Sequence, residues 1–181
     1  MLTTERLILR TWRESDIDPF TAISSDPIVM EFFPRLLGRD EVAAMVVKIN
    51  GIIERDGFGF WALEHAGELI GFCGISRVWF DAHFTPAVEI GWRLRRDAWG
   101  QGFATEAARA AMAFGWQLGL DQIIAFLVPS NQRSAAVAER IGMTRALAGD
   151  FDHPGIAPGT ISVGGHDNQR HSLYRAKRPG H

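Results

Sequence analysis

The pattern of hydrophobic and polar positions divides the chain into short strand-like runs and longer helical runs. Apolar, β-branched and aromatic residues predict strands at 7–10, 60–64, 69–75, 88–94, 122–128 and 171–175. Apolar positions three and four residues apart predict helices that follow Asp16 to about 23, and at 39–55, 104–119 and 131–141. This order of elements predicts a mixed α/β (α+β) domain with a mostly antiparallel sheet.

The centre of the chain is a strand, a glycine-bearing turn and a helix. The strand VEIGWRL (88–94) leads into Trp99-Gly100-Gln101-Gly102, and an alanine-rich helix at 104–119 follows. A second strand at 122–128 comes directly after this helix. Strand, helix and strand in this order form a right-handed crossover between two parallel strands. Strands 88–94 and 122–128 are therefore predicted to be the parallel pair of the sheet.

The glycine turn has the features of an anion site. The first N–H groups of a helix have no intrahelical partner, and the helix dipole places partial positive charge there. Gly100 and Gly102 lack a Cβ, so a ligand can approach the main chain closely, and we interpret the turn as a pyrophosphate site. The plainer interpretation is a tight turn, which needs one glycine but not both. A dinucleotide fingerprint is disfavoured, because Thr105 replaces its third glycine and Asp121 precedes its strand.

Three short motifs, in their order and spacing, resemble the acyl-CoA signature of the GNAT N-acetyltransferase superfamily. They run from Trp99 to Ala107, from Asn131 to Ser134 and from Arg140 to Met143. The branch that they resemble most is the ribosomal-protein alanine/serine N-terminal acetyltransferase type. Gly102 and Ala104 fill the last two places of the superfamily pattern, and Trp99 stands where Gln or Arg is usual. With the opening segment 4–10, the resemblance covers the chain to about residue 151.

The resemblance implies one N-acetyltransferase domain over residues 1–181 with acetyl-CoA as the donor. In this superfamily the two parallel strands splay apart, and the pantetheine arm lies in the gap between them. Main-chain groups around Trp92, Arg93 and Leu94 are then expected to pair with the pantetheine and to polarise the thioester carbonyl. The other expected cofactor contacts are Trp99, Gly100, Gln101, Gly102, Phe103, Ala104, Thr105, Asn131 and Ser134.

Ser134 and Glu89 are the two catalytic candidates that the resemblance implies. Relatives place a serine or tyrosine on the helix at 131–141, so Ser134 is expected to protonate the leaving thiolate, although it is equally a first-turn helix residue. Glu89, in the strand beside the expected thioester, is the candidate that removes the amine proton directly or through water. Its alternative role is a sheet carboxylate paired with an arginine. Asn131 likewise has an alternative role as the N-cap of its helix.

Composition and charge add limits rather than a new function. The chain has 181 residues, 46% hydrophobic and 22% charged, which is ordinary for one globular domain. A net charge of −2 gives no global attraction to nucleic acid or to an anionic membrane. No apolar run has the length of a membrane span or of a signal-peptide core, so we expect a cytoplasmic protein, monomeric or homodimeric. Cys73 is the single cysteine, and no cysteine-histidine spacing indicates a metal.

The sequence does not decide which amine is the acceptor substrate. A protein N-terminus and a small-molecule amine both fit an N-acetyltransferase, and a non-catalytic acyl-CoA-binding or interaction module on the same fold is the alternative of another class. Acceptor recognition is expected in the segments 28–38, 78–86 and 149–168, the last a long loop rich in glycine and proline. Apolar side chains at 30–33 either contact the acceptor or pack onto the sheet edge.

Overall fold

A computed structural model describes residues 1–180, in which four helices flank a sheet of nine strands. The strands are β1 (Leu2–Thr3), β2 (Leu7–Arg10), β3 (Phe60–His65), β4 (Glu68–Arg77), β5 (Val88–Leu94), β6 (Gln122–Leu127), β7 (Thr144–Arg145), β8 (Phe151–Asp152) and β9 (Arg170–Lys177). The helices are α1 (Ile17–Ser24), α2 (Arg39–Asp56), α3 (Phe103–Gln117) and α4 (Gln132–Arg140). The strands pair in the order β1-β2-β3-β4-β5-β6-β9-β7, and β8 pairs with β9.

Strands β5 and β6 form the predicted parallel pair, and the other pairings among the described strands are antiparallel. The register between β5 and β6 consists of a single residue pair, Glu89 with Ile124. On its other side β5 pairs with β4 along its whole length, from Val88 to Leu94. Beyond Glu89 the two parallel strands therefore separate, and their carboxyl ends leave a gap in the sheet.

Helix α3 packs closely onto one face of the sheet because its inward positions are small. Ala107, Ala108 and Ala111 are fully buried in the core cluster that also contains the inward residues of β5. A Cβ on Gly115 would lie 2.7 Å from Cδ1 of Ile123, so a larger residue there would push the helix off the sheet. The close contact fixes the N-terminus of α3 beside the carboxyl end of β5.

Helices α1 and α2 cover the opposite face. Their inward residues, among them Phe20 and Val42, pack with Ala62 and Leu69 in a second core cluster. Because side chains alternate along a strand, Leu94 of β5 faces α3, whereas Arg93 faces α1. The two faces of β5 consequently have different chemistry.

A buried ion pair ties β2 to the start of α1. Arg10 donates from Nη1 to Oδ2 of Asp16 at 2.7 Å and from Nη2 to Oδ1 at 2.9 Å, and both side chains are less than 10% exposed. The Nε of Arg10 donates to Glu64 of β3 at 2.6 Å. Burial opposes ionisation of Asp16, but these hydrogen bonds and one from the main chain of Arg13 lower the pKa of its carboxyl.

The sequence-based prediction of the elements is confirmed, with boundaries that differ by a few residues. The helix expected at 104–119 runs from Phe103 to Gln117, and the last strand extends to both sides of the expected 171–175. The two-residue strands β1, β7 and β8 were not expected. The segment 149–168 contains β8 and an isolated bridge between Ile161 and Asp167 rather than loop alone. No helix within residues 1–180 is long and apolar enough to cross a membrane.

Candidate active site

A cleft of about 1360 Å³ opens where β5 ends and where α3 and α4 begin. All the residues expected to bind the cofactor line it except Gln101. The side chain of Gln101 instead donates from Nε2 to the carbonyl of Asp97 at 2.8 Å, and the residue is exposed. The structure thus gathers residues that are up to about 40 positions apart in the sequence around one cleft, and it leaves the Gln101 side chain outside it.

Both glycines of the turn are required by the backbone itself. Gly100 has φ 74° and Gly102 has φ 80°, in the left-handed region that residues with a Cβ seldom adopt. The plainer interpretation of a tight turn is therefore retained, except that this turn needs glycine at both positions rather than at one. The pyrophosphate site stays a prediction. A Cβ at Gly100 would have no protein atom within 4 Å, and one at Gly102 would meet only Nη2 of Arg6 at 3.5 Å. The main chain of the turn is open to a ligand.

The first turn of α3 offers free backbone donors to the cleft. Its first helical hydrogen bond runs from the N–H of Glu106 to the carbonyl of Gly102 at 2.9 Å. Within residues 1–180, the N–H groups of Phe103, Ala104 and Thr105 have no hydrogen-bond acceptor, and Gly102 supplies no capping side chain. Three unpaired N–H groups at the positive end of a helix dipole suit a phosphate.

Contacts with the N-terminal segment hold this turn in place. Arg6 donates from Nε to Oε2 of Glu106 at 2.7 Å and from Nη1 to the carbonyl of Gln101 at 3.0 Å. Thr4 donates from Oγ1 to Oε1 of Glu106 at 2.6 Å. The carboxylate at the start of α3 is thereby neutralised, so it does not repel an anion at the helix N-terminus.

The start of α4 forms the other wall of the cleft. Asn131 accepts a hydrogen bond on Oδ1 from the N–H of Ser134 at 3.1 Å, so its role as the helix N-cap is confirmed. The Oγ of Ser134 has no hydrogen-bond partner among the described residues, and the residue is partly buried in the cleft wall. Its hydroxyl is free to donate a proton or a hydrogen bond to a ligand.

Glu89 lies outside the cleft lining, at the point where β5 and β6 separate. Burial raises the pKa of its carboxyl to about 8. No arginine or other hydrogen-bond partner of this carboxyl is present in the part of the chain that the structure describes, so the alternative role as a paired sheet carboxylate is wrong. A carboxyl that ionises near pH 8 can both accept and release a proton close to neutral pH, so Glu89 is suited to proton transfer.

The Acetyltransferase (GNAT) domain family matches residues 6–144. This chain belongs to the GNAT acetyltransferase family. It is 31% identical over 146 residues to YnaD, an N-acetyltransferase of Bacillus subtilis (80% of this chain, 82% of YnaD). It is 33% identical over 157 residues to an N-acetyltransferase of Bacillus licheniformis (83% of this chain, 86% of that protein). The GNAT protein described here is accordingly an N-acetyltransferase, and a non-catalytic binding module is not supported.

Solved structures share the GNAT fold over nearly the whole chain. A GNAT acetyltransferase from Bacillus anthracis covers 98% of both chains with a TM-score of 0.75 at 24% identity. The ribosomal-protein alpha-N acetyltransferase RimL, solved with coenzyme A, has a TM-score of 0.75 at 18% identity and covers 96% of this chain and 95% of its own. Spermidine N-acetyltransferase from Vibrio cholerae, solved with CoA and spermine, has a TM-score of 0.71 at 16% identity and covers 97% of both chains. These similarities establish the fold.

Several arginines of the GNAT cleft were missed by the sequence analysis. The cleft is lined by two glutamates and five arginines, a formal local balance of plus three in a chain whose net charge is −2: Glu5, Glu106, Arg6, Arg93, Arg109, Arg133 and Arg140. Arg109 follows Thr105 by four residues on one helix face, a spacing that could have revealed it. Arg133 lies with its Cζ 4.6 Å from the centre of the Trp99 ring. The excess of positive charge favours a polyanionic ligand.

Proposed function

We propose that this GNAT enzyme transfers the acetyl group of acetyl-CoA directly to a primary amine, either a protein N-terminus or a small molecule. The observation that carries the proposal is the cleft, where unpaired helix N–H groups and arginines lie next to the gap between β5 and β6. The CoA complexes of RimL and of spermidine N-acetyltransferase, which share the fold, support the choice of donor.

The residues present fit the phosphates of the donor. The free N–H groups of Phe103, Ala104 and Thr105 would hold the pyrophosphate, and Arg109 lies on the same helix next to them. Arg109 also donates from Nη2 to the carbonyl of Arg140 at 2.9 Å, which holds its guanidinium between α3 and α4. A planar guanidinium in a fixed position suits bidentate contact with a phosphate.

The exposed side of β5 fits the pantetheine arm. Since β6 pairs with β5 only at Glu89, the main-chain groups of residues 90–94 that point toward β6 have no strand partner. The indole Nε1 of Trp99 donates to the carbonyl of Leu94 at 2.9 Å and closes this edge at one end. The amide groups of Trp92 and Leu94 are the ones that we propose to pair with the donor. Alternation along the strand directs the main-chain groups of Arg93 to β4 instead, with its carbonyl against Gly71.

Acetyl-CoA, when bound, supplies an acetyl group activated as a thioester. Glu89 would accept the proton of the amine, directly or through one water. With a pKa of about 8 it is ionised in a minority of molecules at neutral pH, and the carboxylate that forms is a stronger base than an ordinary one. Main-chain N–H groups of β5 would hold the carbonyl oxygen, where negative charge develops. Ser134 would donate its hydroxyl proton to the leaving sulfur, since its Oγ faces the cleft without a protein partner.

Binding of the donor can be tested by thermal unfolding. At a concentration of about 100 times its dissociation constant, acetyl-CoA should stabilise the fold by ~2.7 kcal/mol, which corresponds to a melting shift of about 5–10 °C for a domain of this size. Arg109→Ala should weaken acetyl-CoA binding by about 10- to 100-fold, the contribution of a hydrogen bond to a charged group. Arg39→Ala is the matched control, because Arg39 is exposed on α2, pairs with Asp18 and does not line the cleft.

Transfer can be tested with a panel of amine acceptors and a thiol reagent that detects released CoA. The panel should contain peptides with free N-termini, amino acids and polyamines, each compared with its N-acetylated form as a blank. We expect CoA release with at least one class of acceptor. No acetyl-CoA melting shift, together with no CoA release from the whole panel, would contradict the proposed function.

A further inference from the structure

Arg93 is a cationic side chain on the face of β5 that lies opposite the phosphate site. Its guanidinium donates from Nη1 to Oγ of Ser24, at the end of α1, at 3.2 Å. Its Cζ lies 4.1 Å from the centre of the Phe33 ring, and the rings of Phe72 and Phe20 are 5.5 and 5.7 Å away. Arg93 and Phe33 both line the cleft. The cleft thus extends to a second cation that is separated by the sheet from the N-terminus of α3.

The charge of Arg93 has no counter-ion in residues 1–180. No carboxylate forms an ion pair with it, and its Nε is buried without a hydrogen-bond partner. Burial lowers the pKa of Arg93 to about 10, so that it is still charged at neutral pH. Cation–π contacts with the phenylalanine rings offset part of the cost of desolvation, but they leave N–H donors of the guanidinium unused. An uncompensated buried charge next to an open cleft favours an external anion.

Two acids near the cleft, Glu31 and Glu106, are already neutralised, in contrast to Arg93. Glu31 accepts from Nη2 of Arg133 at 2.5 Å, and Glu106 is held by Arg6. Glu89 is the remaining acid on the same face of β5 as Arg93, and it has no partner in the described part of the chain. A polycationic acceptor would therefore meet the unpaired charge of Arg93, whereas the unpaired Glu89 is mostly protonated at neutral pH because its pKa is raised to about 8. The arrangement favours an acceptor that brings a negative charge.

We propose that Arg93 binds a carboxylate of the acceptor, so that the substrates of this enzyme are primary amines that also carry a carboxylate. The inference rests on the proposed function, because it identifies the class of amine that the same cleft acetylates. The phosphates of the donor are not the anion in question, since they would lie at the N-terminus of α3 on the other face of the sheet.

The spacing along β5 limits the size of the acceptor. Glu89 and Arg93 are four residues apart on one face, which places their Cα atoms about 13 Å from each other in an extended strand. Both side chains shorten the distance that a ligand has to span. An acceptor whose amine is next to Glu89 and whose carboxylate reaches Arg93 is the size of an amino acid or of a short peptide segment with an acidic residue.

The test compares acceptors that differ only in the carboxylate. In the peptide arm, Ala-Glu-amide is compared with Ala-Gln-amide, which has the same free α-amine. In the small-molecule arm, the α-amide of glutamate is compared with the α-amide of glutamine, so that only one of the two carries a carboxylate. Arg93→Met removes the charge and retains an apolar stem for the phenylalanine rings, and Arg93→Lys retains the charge. Arg39→Met is the matched control outside the cleft.

The measured quantity is the ratio of kcat/KM for the acid over its amide, which does not depend on the absolute activity of a variant. In the wild type this ratio should be about 10 to 100 in at least one arm, the range for a hydrogen bond to a charged group. It should fall to about one in Arg93→Met, mainly through KM, and should be retained in part in Arg93→Lys and in full in Arg39→Met. The arm with the higher ratio separates a small amino acid from an acidic peptide.

Two results would overturn the inference while leaving the proposed function intact. One is a wild-type enzyme that acetylates acids and amides equally well, which decides the question without any variant. The other is a preference for acids that survives in Arg93→Met. If Arg93→Met does not fold, inhibition of the wild type by the α-amides of N-acetylglutamate and of N-acetylglutamine replaces it. Equal inhibition by these two compounds, of which only the first carries a carboxylate, counts against Arg93. An absence of CoA release with every acceptor is a failure of the proposed function instead.

Discussion

Replacement of Glu89 by glutamine should change both the rate and the pH dependence of stability. Glutamine has nearly the same shape but cannot accept the amine proton, so turnover should fall by roughly 10² to 10⁴. In the wild type, turnover should rise with pH until Glu89 is ionised, near pH 8. In Glu89→Gln this rise of turnover with pH should disappear, and only the pH dependence that comes from ionisation of the acceptor amine should remain.

The effect on stability follows from the same raised pKa. In the folded protein Glu89 holds its proton up to about pH 8, whereas in the unfolded chain it ionises near 4.5. Between these values the folded state binds more protons, so wild-type stability falls as the pH rises and levels off above pH 8. The whole change is at most about 5 kcal/mol. It is less in practice because solvent still reaches part of the residue. Glu89→Gln lacks this loss, so its advantage over the wild type should grow from pH 5 to pH 8.5.

The assay has to separate the enzyme group from the acceptor amine. We would measure kcat against pH with two acceptors whose amines ionise near about 7.7 and about 10.4, an α-amine and a lysine-type amine. A rise of kcat that is due to Glu89 occurs at the same pH for both acceptors, whereas a rise that is due to the amine moves with the pKa of the amine. Glu68→Gln is the control, because Glu68 on the neighbouring strand has a side chain that is 68% exposed. Wild-type turnover in Glu89→Gln, with an unchanged rise of kcat with pH, would refute the role of Glu89 as the base.

Substitutions at three other positions test the remaining parts of the molecule. Ser134→Ala should lower kcat by roughly 10² or more while the melting shift with acetyl-CoA is retained, and wild-type kcat would remove Ser134 from the mechanism. Gly102→Asn should have a melting temperature closer to the wild type than Gly102→Val, since asparagine tolerates the φ of 80°. Both variants should lose the melting shift with acetyl-CoA. A full shift in either variant would contradict the phosphate site. Asp16→Asn should cost up to about 3–5 kcal/mol in chemical denaturation, because it removes one of the two anions of the buried Arg10 and leaves only Glu64. The wild type should lose the same contribution as the pH falls through the lowered pKa of Asp16, and a cost below about 1 kcal/mol would show that the pair contributes little.

The parts of the fold that the sequence predicts are those whose local pattern agrees with their tertiary role. The strand at 88–94 and the alanine-rich helix after it have a clear period and a glycine turn between them, and both are present. Strands β1, β7 and β8 have two residues each, too few for any period to be visible. Their pairing is decided by neighbours that are remote in the chain, so it could not be predicted locally.

The site likewise contains some features that the local sequence predicts and others that it does not. Main-chain features of the turn follow from the glycine pattern, and Ser134 and Asn131 follow from the resemblance to the GNAT signature. The pairing of Arg6 with Glu106 joins residues 100 positions apart, and no local pattern indicates it. The sequence placed Arg93 beside the donor through its main chain, but the absence of a partner for its guanidinium is visible only when the surrounding residues are in place.

The acceptor segments predicted at 28–38 and 149–168 behave as one unit in the structure. Val163 and Gly164 donate their N–H groups to the carbonyls of Phe33 and Glu31 at 2.9 and 2.8 Å, and the buried Asn168 donates from Nδ2 to the carbonyl of Phe32 at 2.7 Å.

This unit contacts the donor side of the cleft through an ion pair. The carboxylate of Glu31 binds Arg133, whose guanidinium lies over Trp99 at the donor site. The same unit positions Phe33 over Arg93. RimL and spermidine N-acetyltransferase share this fold although their names give different acceptors, so the fold alone does not set the acceptor, and the side chains around the cleft have to do so. A change of acceptor in this enzyme would therefore require both segments to change together, since replacing either one alone breaks the hydrogen bonds that hold Phe33 above the arginine.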